Sequence, residues 1–122
     1  MIGKGSFAKV YLVNNKEDNN NQYAVKAFSK EFLLSQNKGK ESLINEIDIM
    51  QKMQHPNIIN LFEVHESKNS IYLVIEYLTG GELFQKITDA GSLLKVEEIA
   101  KIMKGILLGL DYLENEGILH RD

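Results

Sequence analysis

The beginning of the chain carries short runs of β-branched and aromatic residues separated by polar residues. Residues 9–14 form one such run, which is typical of a strand. A polar stretch rich in turn residues follows, and residues 22–28 are predicted to be the returning strand. Two strands joined by a polar loop predict an antiparallel hairpin. The loop is longer than the tightest hairpin turns, so the sequence leaves the register open.

The apolar pattern changes to helical spacing over residues 41–54. One predicted helix face carries Leu43, Ile47, Met50 and Met53. His55-Pro56-Asn57 predicts the end of this helix, because the residue before a proline avoids the α region. Residues 58–65 and 71–77 are then predicted to be two further strands around a polar turn.

The second half of the chain predicts helices. Residues 82–88 are predicted to form a short helix, and residues 96–116 a long amphipathic helix that Gly117 is suited to end. The order is therefore strands, helix, strands, helices. Since strands and helices do not alternate one for one, a doubly wound parallel sheet is disfavoured.

Composition excludes several classes of protein. The 122 residues contain no Cys, so disulfides, thiolate metal sites and a cysteine nucleophile are excluded. The net charge of −3 gives no electrostatic case for nucleic-acid binding. We find neither a membrane-spanning apolar run nor a signal-peptide pattern, so an intracellular, cytoplasmic location is the default expectation. Arg121 is the only arginine among 14 basic residues.

The glycine pattern near the start is the first candidate for chemistry. The stretch reads Gly3-Lys4-Gly5-Ser6-Phe7-Ala8-Lys9-Val10. Glycines let backbone approach phosphate oxygens and adopt positive φ, although a simple tight turn would explain two glycines equally well. A strand follows here, whereas a dinucleotide-binding turn opens a helix. The pattern therefore fits a hairpin that covers phosphates.

Lys26 is the second candidate, because it lies on the returning strand among apolar neighbours. A partly buried ammonium needs a carboxylate or phosphate partner. Glu46, in the following helix, is a candidate for that partner. The residues alone leave this open, because Glu46 could equally be one of several exposed helix acids.

These motifs occur in a specific order that ends in a charged tripeptide. The ordered set is Gly3-x-Gly5-x-Phe7-x-x-Val10, Ala24-x-Lys26, Glu46, His55-Pro56-Asn57-Ile58, Ile75-Glu76-Tyr77-Leu78, Gly80-Gly81-Glu82-Leu83-Phe84 and His120-Arg121-Asp122. Together they resemble a eukaryotic protein kinase domain of the Ser/Thr type, in the calcium/calmodulin-dependent group. The resemblance covers the whole chain.

The resemblance implies an α+β fold of the protein-kinase type. Residues 1–78 would be the N-lobe and hinge, an antiparallel sheet with one long helix and a truncated first strand. Residues 79–122 would be the first helices of an incomplete helical C-lobe.

The resemblance also implies a set of site residues. ATP would be bound by Ile2, Gly3, Lys4, Gly5, Ser6, Phe7, Ala8, Val10, Ala24, Lys26, Ile75, Glu76, Leu78, Glu82 and Leu83. Lys26 would hold the α- and β-phosphates and pair with Glu46. Asp122 would accept or orient the proton of the substrate hydroxyl, so Asp122, Lys26 and Glu46 would be the catalytic residues, and Arg121 would hold an activation-loop phosphate.

Within that site, the resemblance also implies which residues would contact the adenine. Ile75 would be the gatekeeper, and the backbone of Glu76 and Leu78 would hydrogen-bond the base. Val10, Ala24 and Leu83 would sandwich its rings, and Glu82 would reach the ribose or a basic substrate side chain.

The implied activity is ATP-dependent transfer of the γ-phosphate to Ser or Thr hydroxyls of a protein substrate. The cofactors would be ATP and Mg²⁺, with the metal ligands expected beyond the C-terminus and none within this chain. A regulatory protein such as calmodulin would act outside this segment, and neither nucleic acid nor membrane is expected as a partner.

Three departures from the family pattern qualify this prediction. Ala8 replaces the third glycine, only two residues precede Gly3, and nothing follows Asp122. We therefore expect a fragment that by itself does not phosphorylate protein. The alternative is a noncatalytic kinase-like module that binds nucleotide or a partner, and a dinucleotide-binding oxidoreductase is a remote third.

Overall fold

The computed structural model describes residues 1–5, 8–16, 21–89 and 94–120. Its elements in chain order are β1 (Gly3–Lys4), β2 (Ala8–Asn14), β3 (Gln22–Ser29), α1 (Lys30–Ser35), α2 (Gly39–Lys52), β4 (Leu61–Glu66), β5 (Ser70–Glu76), α3 (Leu83–Asp89) and α4 (Val96–Asn115). The chain divides into two compact units, the first holding residues 1–54 and 59–77 and the second holding residues 55–58 and those from 78 onward.

The first unit is built on a five-stranded antiparallel sheet of order β1-β2-β3-β5-β4. The predicted hairpin is confirmed as β2 and β3, and its register runs from Ala8 opposite Phe28 to Asn14 opposite Gln22. β1 pairs with β2 at only two positions, which are Gly3 with Val10 and Lys4 with Lys9.

The core of the first unit lies between the sheet and the first two helices. Its buried members are Ala8, Phe28, Leu33, Leu43, Ile71 and Leu73. Leu73 on β5 has no exposed surface, and Leu43 on α2 is 3% exposed. Ile47 packs against this cluster, so the apolar stripe predicted for α2 is the face that the helix buries.

The structure adds one helix that the apolar pattern did not predict. α1 spans six residues, too few for a helical period to emerge from the sequence. The hydroxyl of Ser29 caps it by accepting a hydrogen bond from the backbone N–H of Phe32 at 3.4 Å. Ser29 before a short apolar run was the sequence signal for this helix.

The strand predicted over residues 58–65 begins later, at Leu61. The backbone N–H of Ile58 donates to the carbonyl of His55 at 3.1 Å, which closes a turn there. Residues 55–58 belong to the second unit, so they cannot extend the strand. The prediction was therefore wrong by three residues at this end.

The second unit contains α3, α4 and residues 55–58. The ring of His55 stacks on Tyr112 of α4 with centroids 5.0 Å apart. Gly117 has a φ of 70°, as predicted for the residue that ends α4, and the N–H of Ile118 donates back to the carbonyl of Leu113. In the described part of the chain, no helix is both long enough and apolar enough to cross a membrane.

Candidate functional site

A pocket of about 490 Å³ opens in the first unit between the β1–β2 segment, β3 and the first two helices. Its lining comprises Gly5, Ala8, Val10, Lys26, Phe28, Leu33, Gln36, Asn37, Gly39, Ser42, Leu43 and Glu46. Most of these side chains are apolar or uncharged, and Lys26 and Glu46 are the two ionisable residues in the lining. The chemistry of the pocket therefore depends on this pair.

The position of Lys26 follows from the register of the sheet. It stands opposite Val10 on β2 and Leu73 on β5, and it shares the inward face of β3 with Ala24 and Phe28. Its Nζ lies 5.1 Å from the centroid of the Phe28 ring, an arrangement in which the ring face attracts the ammonium. The strand thus directs the ammonium into the pocket. The side chain of Lys26 keeps 36% of its surface exposed there.

Glu46 approaches the same pocket from α2. It precedes Ile47 on the helix and lies three residues after Leu43, so it borders the buried stripe. Its Oε1 atom is 3.4 Å from Nζ of Lys26. The structure therefore brings together the two residues that the sequence alone could only nominate as partners.

The exposure of this ion pair limits what it contributes to folding. The two side chains keep 36% and 47% of their surface exposed, and pairs in such surroundings stabilise a fold little. A contact of 3.4 Å is also loose for a charge-assisted hydrogen bond. The ammonium consequently retains the capacity to bind an anion, with the carboxylate restricting its orientation.

The glycine segment is tied to the sheet without unusual backbone. The N–H of Gly5 donates to the carbonyl of Ala8, and the N–H of Ile2 donates to Val10, both at 2.8 Å. The positive φ predicted as a reason for these glycines is absent from Gly3 and Gly5. A Cβ at Gly5 would lie 3.7 Å from the nearest atom, an ordinary contact. Any steric need for glycine here would thus come from a bound ligand.

The remaining predicted residues of the first unit lie on the same sheet. Ala24 is buried on β3 opposite Ile75 of β5, and Ile75 packs against the core. Glu76 ends β5, where its carboxylate accepts a hydrogen bond from Nδ2 of Asn60 at 3.2 Å. Lys4 is exposed on β1.

Other predicted residues belong to the second unit or lie outside the described residues. Leu78 and Glu82 are exposed, and Leu83 opens α3. Ser6, Phe7, Arg121 and Asp122 lie outside the described residues. The roles predicted for Ser6 and Phe7 over the phosphates and for Asp122 with the substrate hydroxyl therefore stay predictions.

Sequence reasoning missed the part of the pocket that α1 and the residues directly after it supply. Leu33, Gln36 and Asn37 line it, although no motif pointed to them. Gly39, at the start of α2, is a close packing contact. A Cβ there would lie 2.5 Å from the carbonyl oxygen of Leu33.

The described residues contain no group of three or more metal-ligating His, Asp or Glu side chains.

The pocket, the Lys26–Glu46 pair and the five-stranded sheet define a class of protein. Residues 1–122 match the protein kinase domain family, and the chain belongs to that family. The sequence-derived fold class is confirmed by this match and by the structural comparison below.

Curated relatives place the chain more narrowly. It is similar to calcium/calmodulin-dependent protein kinase type 1 of Macrobrachium nipponense, with 40% identity over the whole of this chain and 34% of that protein. The same enzyme of Caenorhabditis elegans is 39% identical with the same coverage. CBL-interacting serine/threonine-protein kinase 3 of Arabidopsis thaliana is 39% identical over 99% of this chain and 27% of that protein. The chain thus spans about a third of the length of the relatives it matches.

A solved structure supports the same fold. The crystal structure of Rad53 residues 1–466 in complex with AMP-PNP superposes with a TM-score of 0.90 at 29% sequence identity. The match covers 99% of this chain and 31% of that one.

Proposed function

We propose that this chain is the nucleotide-binding part of a serine/threonine protein kinase that transfers the γ-phosphate of ATP to protein hydroxyls. The observation that carries the proposal is the Lys26–Glu46 ion pair across β3 and α2, at the wall of the pocket. The names of the curated relatives support the serine/threonine class. The AMP-PNP bound to Rad53, an ATP analogue, supports ATP as the nucleotide.

Lys26 is the phosphate-binding residue in this proposal. A cation at this position attracts the α- and β-phosphates and stabilises negative charge that develops during transfer. Glu46 is a positioning residue, because its carboxylate holds the ammonium where the phosphates arrive. Since the pair is exposed and loose, the phosphates can join it without breaking a strong buried bond.

The β1–β2 segment would cover the phosphates, with Gly3 and Gly5 allowing its backbone to come close. Val10 and Ala24 would contact the adenine from the sheet. The roles assigned by resemblance to Ile2, Lys4, Ile75, Glu76, Leu78, Glu82, Leu83, Arg121 and Asp122 remain part of the proposal. Mg²⁺ would be required for transfer, and the described residues supply no cluster to hold it.

The test is ATP affinity of the 122-residue chain, measured by equilibrium dialysis with labelled ATP. Lys26→Met should weaken binding about tenfold or more, because it removes charge-assisted contacts to phosphate. Lys52→Met is the matched control, since Lys52 is an exposed lysine at the end of α2. It should leave the affinity unchanged.

Two results would contradict the proposal. Equal affinities of the wild-type chain and the Lys26→Met chain would show that the pair does not bind phosphate. Absence of ATP binding by a folded wild-type chain would remove the nucleotide site itself. In a longer protein that carries these residues, ATP binding without phosphorylation of any protein would favour the noncatalytic alternative.

A further inference from the structure

The face of the sheet turned away from α2 carries a group of aromatic and β-branched side chains. On β3, Ala24, Lys26 and Phe28 point toward the core and the pocket, so the alternate positions Tyr23 and Val25 point outward. We call this second surface the outer face. Its central side chains are Tyr11, Tyr23, Val25, Phe62, Tyr72 and Val74.

These outer-face side chains form a continuous surface. The register places Tyr11 beside Val25 and Val25 beside Val74, which makes one row across three strands. The rings of Tyr23 and Phe62 meet edge to face with centroids 5.2 Å apart, which joins β3 to β4 over the intervening strand. Phe62 still has 52% of its surface exposed. An antiparallel sheet with one solvated face is normally polar on that face, so this composition indicates a surface that another molecule covers.

The charges at the two edges of the outer face have opposite signs. At the β1–β2 edge, Lys4 stands directly opposite Lys9, and neither forms an ion pair with a described residue. Like charges directly opposite one another on a sheet are unfavourable unless an anion relieves them. At the other edge, β4 presents Glu63, whose exposed carboxylate lies 2.6 Å from Nε2 of His65.

We propose that the outer face binds the outer face of a second copy of this chain. The argument is charge complementarity, because one surface carries a basic edge, an apolar centre and an acidic edge. A twofold arrangement places the basic β1–β2 edge of each copy over the β4 edge of the other, with Glu63 two residues along the strand from the row that contains Lys9.

The charge pattern also selects the orientation of the pair. A twofold axis that runs parallel to the strands, between the two sheets and over the middle of each, brings unlike edges together. An axis perpendicular to the strands within the interface would place Lys9 over Lys9, which costs free energy. Facing sheets pack about 10 Å apart, a distance that side chains of the size of Tyr and Phe fill.

The dimensions of the sheet predict a weak dimer. Five strands at about 4.8 Å spacing and about 3.4 Å per residue give a face roughly 20–25 Å on each side. Such a face approaches, without exceeding, the roughly 800 Å² that each partner buries in a standard interface. Dimerisation should therefore depend on concentration, and it should weaken as salt screens the charged edges. The pocket opens on the opposite face of the sheet, so ATP binding should not change.

Sedimentation velocity over a series of concentrations tests the pairing of the edges. Lys9→Glu and Glu63→Lys should each weaken dimerisation about three- to tenfold, because each places like charges together. The double variant should return to within about twofold of wild type. A wild-type chain that remains monomeric throughout, or a double variant as weak as the single ones, would overturn the proposal.

A second pair of variants separates the outer face from other exposed apolar surfaces. Phe62→Ala should weaken dimerisation about tenfold or more, since it removes the most exposed ring of the apolar centre. Leu107→Ala on α4, where the side chain is 59% exposed, is the control and should have no effect. If Leu107→Ala abolishes association and Phe62→Ala does not, the chain associates through α4 and the proposal is wrong. Far-UV circular dichroism verifies that each variant is folded.

Discussion

The two units bury their apolar residues to very different extents. In the first unit, the stripe on α2 faces a sheet, and Leu43 is almost completely buried. In the second unit, α4 has a comparable stripe, yet Ile99, Met103 and Ile106 keep close to half of their surface exposed. Amphipathic spacing shows which face a helix can bury, and only a covering element determines whether it does so.

This difference in burial implies different local stabilities. The first unit has a buried core between the sheet and two helices, whereas the described part of α4 buries only Gly109 and Leu113. Two such units need not unfold together, so we state the expected effects for each unit by itself. Amide hydrogen exchange reports on each unit separately.

The largest effect is expected from a core truncation in the first unit. Leu73→Ala should destabilise the sheet by about 2–5 kcal/mol, because Leu73 is fully buried and its removal leaves a cavity. Exchange of the β3 and β5 amides measures this loss. Leu107→Ala on α4 removes the same atoms from an exposed position and should change local stability by less than about 0.5 kcal/mol. Equal effects at the two positions would contradict the comparison.

Two glycine-to-alanine substitutions should have smaller effects on stability, and the effects should differ in sign between the two units. Gly39→Ala should destabilise the first unit by about 1–3 kcal/mol, since its Cβ would overlap the backbone of Leu33 at 2.5 Å. Gly105→Ala should leave α4 unchanged or stabilise it by up to about 1 kcal/mol. Its Cβ would meet only the side-chain amide of Asn57 at 3.1 Å, and alanine is the better helix former.

Exchange of the α2 and α4 amides distinguishes the two glycine variants. A stabilised α2 in Gly39→Ala would show that the close approach to Leu33 does not constrain this position.

The smallest effect concerns the ion pair between Lys30 and Glu66. Nζ of Lys30 lies 2.5 Å from Oε1 of Glu66, and the same ammonium donates to the carbonyl of Ser67 at 2.6 Å. The hydrogen bond and the charge of Lys30 lower the pKa of Glu66. A lowered folded-state pKa means that the stabilisation is present above the ordinary pKa of Glu. It is lost as the pH falls through the lowered value.

Because Glu66 is exposed, we expect this pH effect to be small. Glu66→Gln should reduce the fall in first-unit stability on acidification, measured by amide exchange at several pH values. Glu41→Gln, at an exposed acid with no ion pair among the described residues, is the control. An unchanged pH dependence in Glu66→Gln would show that the pair does not contribute.

The sequence predicted elements well where their pattern was long. The stripe of α2, the β2–β3 hairpin and the residue that ends α4 were all found. The sequence did not predict α1, because this helix is too short to show a period. It also placed the start of β4 too early, because a turn at His55 competes with strand pairing there.

The candidate site required more than local patterns. Lys26 and Glu46 are 20 positions apart, and no local pattern specifies that β3 and α2 meet there. The resemblance to protein kinases supplied that pairing, and the structure places the two atoms 3.4 Å apart. The contribution of α1 to the pocket and the packing of Gly39 depend on tertiary contacts, so the sequence could not indicate them.

The most direct test of the central claim is hydrogen exchange of the 122-residue chain with and without ATP. The account predicts slower exchange in the β1–β2 segment and around Glu46 in α2, and loss of that protection in Lys26→Met. Protection that persists in Lys26→Met, or that is confined to α4, would contradict a nucleotide site at the Lys26–Glu46 pair.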